Sequence, residues 1–194
     1  MGIARRNRLQ IRAGMVHSGV HHPAQHTTGN PTKTRAAMDT PLNTITMPDS
    51  WAATLAEDIR AAGASVVLSA LSMQPPRHNN GTPHSDLWQA IIAAPPRGVS
   101  ATIYLPVPAL AHPATLYNTS AAQAAHAHGV QVHFVPMPRL LHAKTAIIDG
   151  ILVWIGSGNL TAAAAHHNHE AFCRFWSPEI AARLLMRWEQ AARG

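Results

Sequence analysis

The chain has 194 residues, enough for one domain with a tail, and a single cysteine, Cys173, which excludes a disulfide framework. Charge is lopsided: residues 1–40 hold six basic side chains against one acidic, and residues 41–194 hold nine against eight. The high pI therefore belongs to the N-terminal stretch and does not by itself make the remainder a nucleic-acid binder, while no apolar run approaches the roughly 18 residues of a membrane-spanning helix.

Residues 1–47 are rich in Arg, His, Thr, Pro and Gly with weak periodicity. They read as a basic, disordered segment, with the folded domain expected over 48–194. Such an arm either raises nonspecific affinity for DNA, RNA or an anionic membrane, or is a solvated leader. His17, His21, His22 and His26 fall in it, but with no Cys or carboxylate among them they make a weak metal set. The basic run Arg5-Arg6-Asn7-Arg8 is not followed by the apolar stretch of a secretory signal, which points to a cytoplasmic protein.

Pro48-Asp49-Ser50 opens a helix to about Ala62, capped by Asp49 or Ser50. ASVVLSAL, Ala64 to Leu71, is a buried strand, and a Pro/Asn/Gly-rich loop runs from Ser72 to Pro83. A helix over His84 to Ala94, with Ser85 as cap, ends at Pro95-Pro96-Arg97-Gly98. Val99 to Leu105 is the next strand, Pro106 to Asn118 a loop, and Thr119 to His128 a helix stopped by Gly129. Val130 to Val135 is a strand that leads through Pro136 and Pro138 into the stretch that carries chemistry. Beyond that stretch come a short Ala-rich helix, a strand over His169 to Trp176 with Cys173 as a buried thiol, and a helix over Ser177 to Ala192. Ser177-Pro178 suits the start of that last helix, and Leu184 and Trp188 are placed to pack it on the sheet. Strands and helices alternating in this way predict an α/β domain, a mixed β-sheet flanked by helices in an α-β-α sandwich.

The chemical stretch is LHAKTAIIDGILVWIGSGN, Leu141 to Asn159. TAII and ILVWI are apolar and β-branched without helical period, and Asp149-Gly150 between them is a strong hairpin signal. His142 to Asp149 and Ile151 to Ile155 are thus expected as antiparallel strands. His142 and Lys144 are two apart and share a face. Asp149 lies at the far turn, away from them, and is read as structural. The second strand returns Gly156-Ser157-Gly158-Asn159 to the end where His142 and Lys144 sit. There the glycines let backbone approach an anion, Ser157 and Asn159 add neutral donors, and Leu160-Thr161 begins a helix whose free N–H groups favour a phosphate. Lys144 supplies fixed positive charge, and His142 a nucleophile or proton carrier usable near neutral pH. A lone His-x-Lys, or a lone GSGN turn, is usually nothing; their occurrence together and in register points to an anion-handling site.

The order H-x-K-x4-D-x6-G-S-x-N, carried by His142, Lys144, Asp149, Gly156, Ser157 and Asn159, resembles the signature of the phospholipase D superfamily. RGVSATIYLP also resembles the turn into that superfamily's second strand. The resemblance implies the phospholipase D-like nuclease fold and a phosphodiesterase that needs no metal or other cofactor. It makes His142, Lys144, Asn159 and Glu170 the catalytic group. Lys144, Ser157 and Asn159 hold the phosphate, Asp149 and Gly156 are structural, and Glu170 orients the imidazole. The family's scheme uses two histidines, one attacking phosphorus and one serving the leaving oxygen. This chain has one such motif, so a homodimer sharing its site across a two-fold axis is implied, with bacterial small endonucleases as the similar branch. Nucleic acid is the first substrate expectation and a phosphatidyl lipid the alternative. A binding module of another class, with the fold but little turnover, is the third. His166, His167 and His169 with Glu170 form the other dense cluster, which as a zinc site would mean a different enzyme class.

Overall fold

TAII and ILVWI are apolar at consecutive positions, a pattern that suits strands covered on both faces. They form the middle of a seven-stranded sheet in the computed structural model, which describes residues 44–46 and 51–194. The strands are β1 (Thr44–Thr46), β2 (Ser65–Ser69), β3 (Ser100–Pro106), β4 (Gln131–Val135), β5 (Lys144–Ile148), β6 (Leu152–Gly156) and β7 (Phe172–Trp176). Their order is β1-β7-β6-β5-β2-β3-β4. β2, β3 and β4 run parallel, and every pairing from β2 through β5, β6 and β7 to β1 is antiparallel. The helices are α1 (Trp51–Ala61), α2 (Pro83–Ile92), α3 (Asn118–His126), α4 (Ala162–His166) and α5 (Pro178–Arg193).

Alternation along the strands divides the core. Val66 and Leu68 join Ile103, Ala146 and Trp154 under Leu55, Ile59, Leu87 and Ile91 of α1 and α2, with α3 and α4 contributing Ala125 and Ala164. Val67 turns to the other face, where α5 lies. Trp188 there packs on Tyr104, Val135 and Leu141, with Leu184 against them, and Ala181 sits among Ile147, Val153 and Phe175. This is the expected sandwich.

Boundaries differ from the sequence reading at several points. Thr44–Thr46 falls in the segment read as disordered, yet it pairs antiparallel with β7 as an edge strand, so the domain begins before residue 48. The cap of α2 is Thr82, whose Oγ1 accepts from Ser85 N at 3.3 Å; Ser85 lies inside the helix with Pro83 at its first turn. Cys173 is half-buried. Asp49, Ser50 and the four histidines between His17 and His26 lie outside the described residues. Among those residues no helix is long and apolar enough to cross a membrane.

The hairpin turn follows its chemistry. Asp149 and Gly150 take φ of 52° and 68°, and Ile151 N donates to Ile148 O at 3.1 Å. Pairing resumes between Ile148 and Leu152, so Ile151 belongs to the turn and the second strand starts one residue later than expected. Asp149 also reaches beyond its hairpin. Its carboxylate accepts from Gly63 N at 3.0 Å and from Ala64 N and Ser65 N at 2.8 Å each, tying the turn to the start of β2. Burial disfavours the ionised carboxylate, but those three donors outweigh it and hold the Asp149 pKa below the ordinary 3.8. A lowered carboxyl value contributes stability above the unfolded value that is lost as pH falls through the folded one. Asp149→Ala is therefore expected to cost about 2 kcal/mol at neutral pH. Urea unfolding of both proteins from neutral pH into acid checks this, with the gap closing below pH 3.8; a gap that does not narrow would contradict it.

A second tie was not foreseen. Asp58 of α1 receives Arg174 Nε at 2.7 Å, Arg174 Nη2 at 2.8 Å and Trp154 Nε1 at 2.9 Å, which pins the helix to β6 and β7. The Arg174 guanidinium also lies 4.5 Å from the centre of the Trp176 ring.

Candidate active site

The site forms where β5 begins and β6 ends. Lys144 pairs with Gly156, the last rung of that ladder, so His142 just before it and Ser157 to Asn159 just after it leave the sheet side by side. His142 is thus not part of the strand, as had been expected from its sequence, but stands in the approach to it. Buried Leu141 anchors that approach against Trp188. Ser69 supports it from β2, sharing a 2.7 Å hydrogen bond with Thr145 Oγ1 and donating to Ala143 O at 3.4 Å.

His142 is exposed, whereas Lys144 is 7% exposed. The Lys144 ammonium lies 2.7 Å from the His142 carbonyl oxygen, to which it donates, and 3.2 and 3.3 Å from the two ring nitrogens. Burial pulls the Lys144 pKa below its ordinary value of 10.5, and the negative charge of Glu170 opposes that shift. The lysine brings a largely buried positive charge next to an accessible imidazole.

Asn159 is half-buried, and its Oδ1 accepts from Ser72 N at 3.3 Å. That bond leaves the amide N–H groups as the donating end of the side chain. Leu160 N donates to Ser72 O and Gln74 N to Leu160 O, so the loop after β2 and the segment after Asn159 are laced together. Asn118 holds the same loop from α3: its Nδ2 donates to Leu71 O and Pro106 O, and its Oδ1 accepts from Met73 N.

Ser157 and Glu170 depart from their expected parts. Ser157 Oγ donates to Glu170 Oε2 at 2.5 Å and accepts from Ala171 N at 3.1 Å. Its one proton is committed, so Ser157 is no free donor for a phosphate. Glu170 is buried, and its other oxygen accepts from Asn168 Nδ2 at 3.0 Å. Each carboxylate oxygen accepts one hydrogen bond, and among the described residues none joins Glu170 to His142. Within one chain, then, Glu170 holds the Ser157 turn and offers charge to Lys144, and it makes no hydrogen bond to the imidazole.

The glycines answer to packing. A Cβ on Gly156 would lie 2.5 Å from Ala171 O and inside the Phe172 ring, and one on Gly158 would lie 2.9 Å from Phe172 Cε2 and 3.2 Å from Trp51 Cζ2. Phe172 itself stacks on Trp51 with ring centres 4.5 Å apart. The two glycines therefore admit Phe172 to the core, where the sequence had suggested an open approach for an anion. The helix read after Leu160 is the five-residue α4, and Thr161 Oγ1 accepts from Ala164 N at its start. So short and capped a turn provides no phosphate site.

The remaining histidine cluster does not converge. His166 and His167 face each other edge-on with centres 6.1 Å apart, and Glu170 is turned to Ser157 and Asn168. Among the described residues no three His, Cys, Asp or Glu side chains form a metal-holding group. Sequence reasoning passed over Ser69, Ser72, Asn118 and Asn168. The two serines interrupt the apolar run VVLSALS, the one visible hint of buried polar work.

The arrangement presents an exposed imidazole, a buried ammonium against it, and an amide donor from the segment after β6. A family model described as cardiolipin synthase, PLD-like domain, matches residues 55–191. The fold is similar to that of Nuc from Salmonella typhimurium, a phospholipase D family member, with TM-score 0.62 and 23% identity over 77% of this chain and 93% of that one. It is also similar to NucT from Helicobacter pylori, with TM-score 0.61 and 17% identity over 78% and 95% of the two chains. Phosphatidylserine synthase from Haemophilus influenzae gives TM-score 0.57 and 13% identity over 74% of this chain and 35% of that one. No curated protein matched the chain significantly.

Proposed function

The chain belongs to the phospholipase D-like domain family, and on that footing we propose that it is a metal-independent phosphodiesterase, and specifically a nuclease. The observation that carries the reading is the buried Lys144 ammonium set 2.7 Å from the His142 carbonyl oxygen and beside its ring. A diester phosphate resting against that ammonium and the Asn159 amide would have its negative oxygens neutralised with an imidazole at hand for attack. In the proposed first step a His142 nitrogen bonds to phosphorus and the P–O bond to the leaving group breaks. A proton passes to that oxygen from His142 of a second copy, and in the second step water displaces the histidine and gives the proton back. The reaction thus calls for a homodimer with two copies of His142 meeting at the two-fold axis. Glu170 serves as the buried counter-charge that keeps Lys144 cationic.

Size favours nucleic acid as substrate. The domain spans 93% and 95% of Nuc and NucT, but 35% of the phosphatidylserine synthase. One observation favours a phospholipid instead: Leu110 and Leu116, on the loop after β3, are 87% and 47% exposed and offer an apolar contact. Turnover of single-stranded DNA, RNA and phosphatidylglycerol vesicles in excess EDTA separates the two. Cleavage of a nucleic acid with intact vesicles is the expected result. Release of the lipid headgroup with no cleavage of either nucleic acid would overturn the nuclease reading, and activity lost to EDTA would overturn the metal-free one.

A further inference from the structure

Beyond the segment that follows Asn159 lies an open recess, with a volume of about 730 Å³. It begins where the active site stops. Ser72 N holds Asn159 Oδ1 and Gln74 N holds Leu160 O, and Gln74 is the first residue of the recess wall. Arg77, His78, His84, Tyr117 and His166 line it, and no carboxylate does.

These side chains divide by role. His84 is buried with Nε2 at 3.0 Å from Gln74 O, so it is part of the wall. Arg77 and His166 are exposed, and Arg77 makes no salt bridge among the described residues. Tyr117 is 54% exposed, and its ring is stacked on no other described aromatic side chain. A cation without an anion, an imidazole and an open aromatic face around one recess suit a ligand with both a negative group and a flat ring. A nucleotide has both. A simple phosphatidyl lipid has one phosphate, and that phosphate would already be at His142. A duplex keeps its bases stacked on each other, out of reach of a single tyrosine ring.

Resting on the nuclease reading, we infer that this recess is the subsite for the nucleotide flanking the scissile phosphate of a single-stranded substrate. Arg77 and His166 hold the flanking phosphate, and Tyr117 stacks on the base. The subsite gives the enzyme grip on a polymer that a small diester does not use.

The test compares the full-length wild type with the Arg77→Ala/Tyr117→Ala double variant on two substrates. One is a short single-stranded oligonucleotide at several salt concentrations; the other is bis(p-nitrophenyl) phosphate, which has no flanking nucleotide. The variant is expected to lose about tenfold or more in kcat/KM on the oligonucleotide. The slope of log kcat/KM against log salt should shrink by about 0.7, with turnover of the small diester unchanged. Unchanged oligonucleotide cleavage and slope, or an equal loss on both substrates, would overturn the subsite while leaving the nuclease reading in place. A wild type that hydrolyses the small diester but not the oligonucleotide would overturn the nuclease reading and the subsite with it.

Discussion

Replacing His142 by alanine is expected to lower kcat for diester hydrolysis on the order of 10⁴-fold or more, with no loss of thermal stability. The kinetic part follows from the role proposed for the imidazole, since no neighbouring group can take over the bond to phosphorus. The stability part follows from its surroundings. His142 is exposed, and the contact that holds Lys144 at 2.7 Å is made by the His142 backbone carbonyl, which alanine keeps. Hydrolysis of bis(p-nitrophenyl) phosphate and a thermal melt measure the two separately. A variant within tenfold of the wild type would show that His142 is not the nucleophile, and a collapsed melt would show that the side chain is structural.

Lys144→Met is expected to cost about 10²- to 10³-fold in kcat, the range for removing one charge-stabilising group from a reaction centre. Stability should hold or rise, because the variant no longer keeps an ammonium that is 7% exposed out of water. The wild type carries a related pH signature. The folded chain holds the Lys144 proton less tightly than the unfolded chain, mainly because of burial. As pH rises from the lowered folded value toward 10.5, stability therefore increases while the charge needed for activity is lost. Alkaline pH profiles of kcat and of unfolding free energy should move in opposite directions in the wild type, and the stability rise should vanish in Lys144→Met. Parallel profiles in the wild type would contradict the assignment.

The hairpin, and the return of the segment after β6 to the start of β5 beside His142 and Lys144, were legible because short-range rules govern them. Asp-Gly dictates the turn, two apolar β-branched runs dictate the strands, and an antiparallel return must bring the residues after β6 back to the start of β5. The helices were legible for similar reasons, from caps such as Ser177-Pro178 and from breakers such as Gly129. The parts that were not legible depend on partners distant in sequence. Ser157 looks like a free donor until Glu170 is seen to take its proton, and the glycines beside it look like an anion cradle until Phe172 fills the space. Thr44–Thr46 forms a strand because β7 leaves an edge for it, which a stretch of three residues cannot announce. Asp58 would read as an ordinary helix-surface carboxylate without Arg174 and Trp154.

The central claim is a covalent bond between His142 and phosphorus. The direct test mixes wild-type protein with bis(p-nitrophenyl) phosphate in excess EDTA, quenches within the first turnovers under alkaline conditions, and maps the mass of the modified peptide. A p-nitrophenylphosphoryl group on His142, formed with release of one p-nitrophenolate and absent from His142→Ala, is the predicted result. Steady hydrolysis in EDTA with no adduct on His142 at any quench time would contradict it.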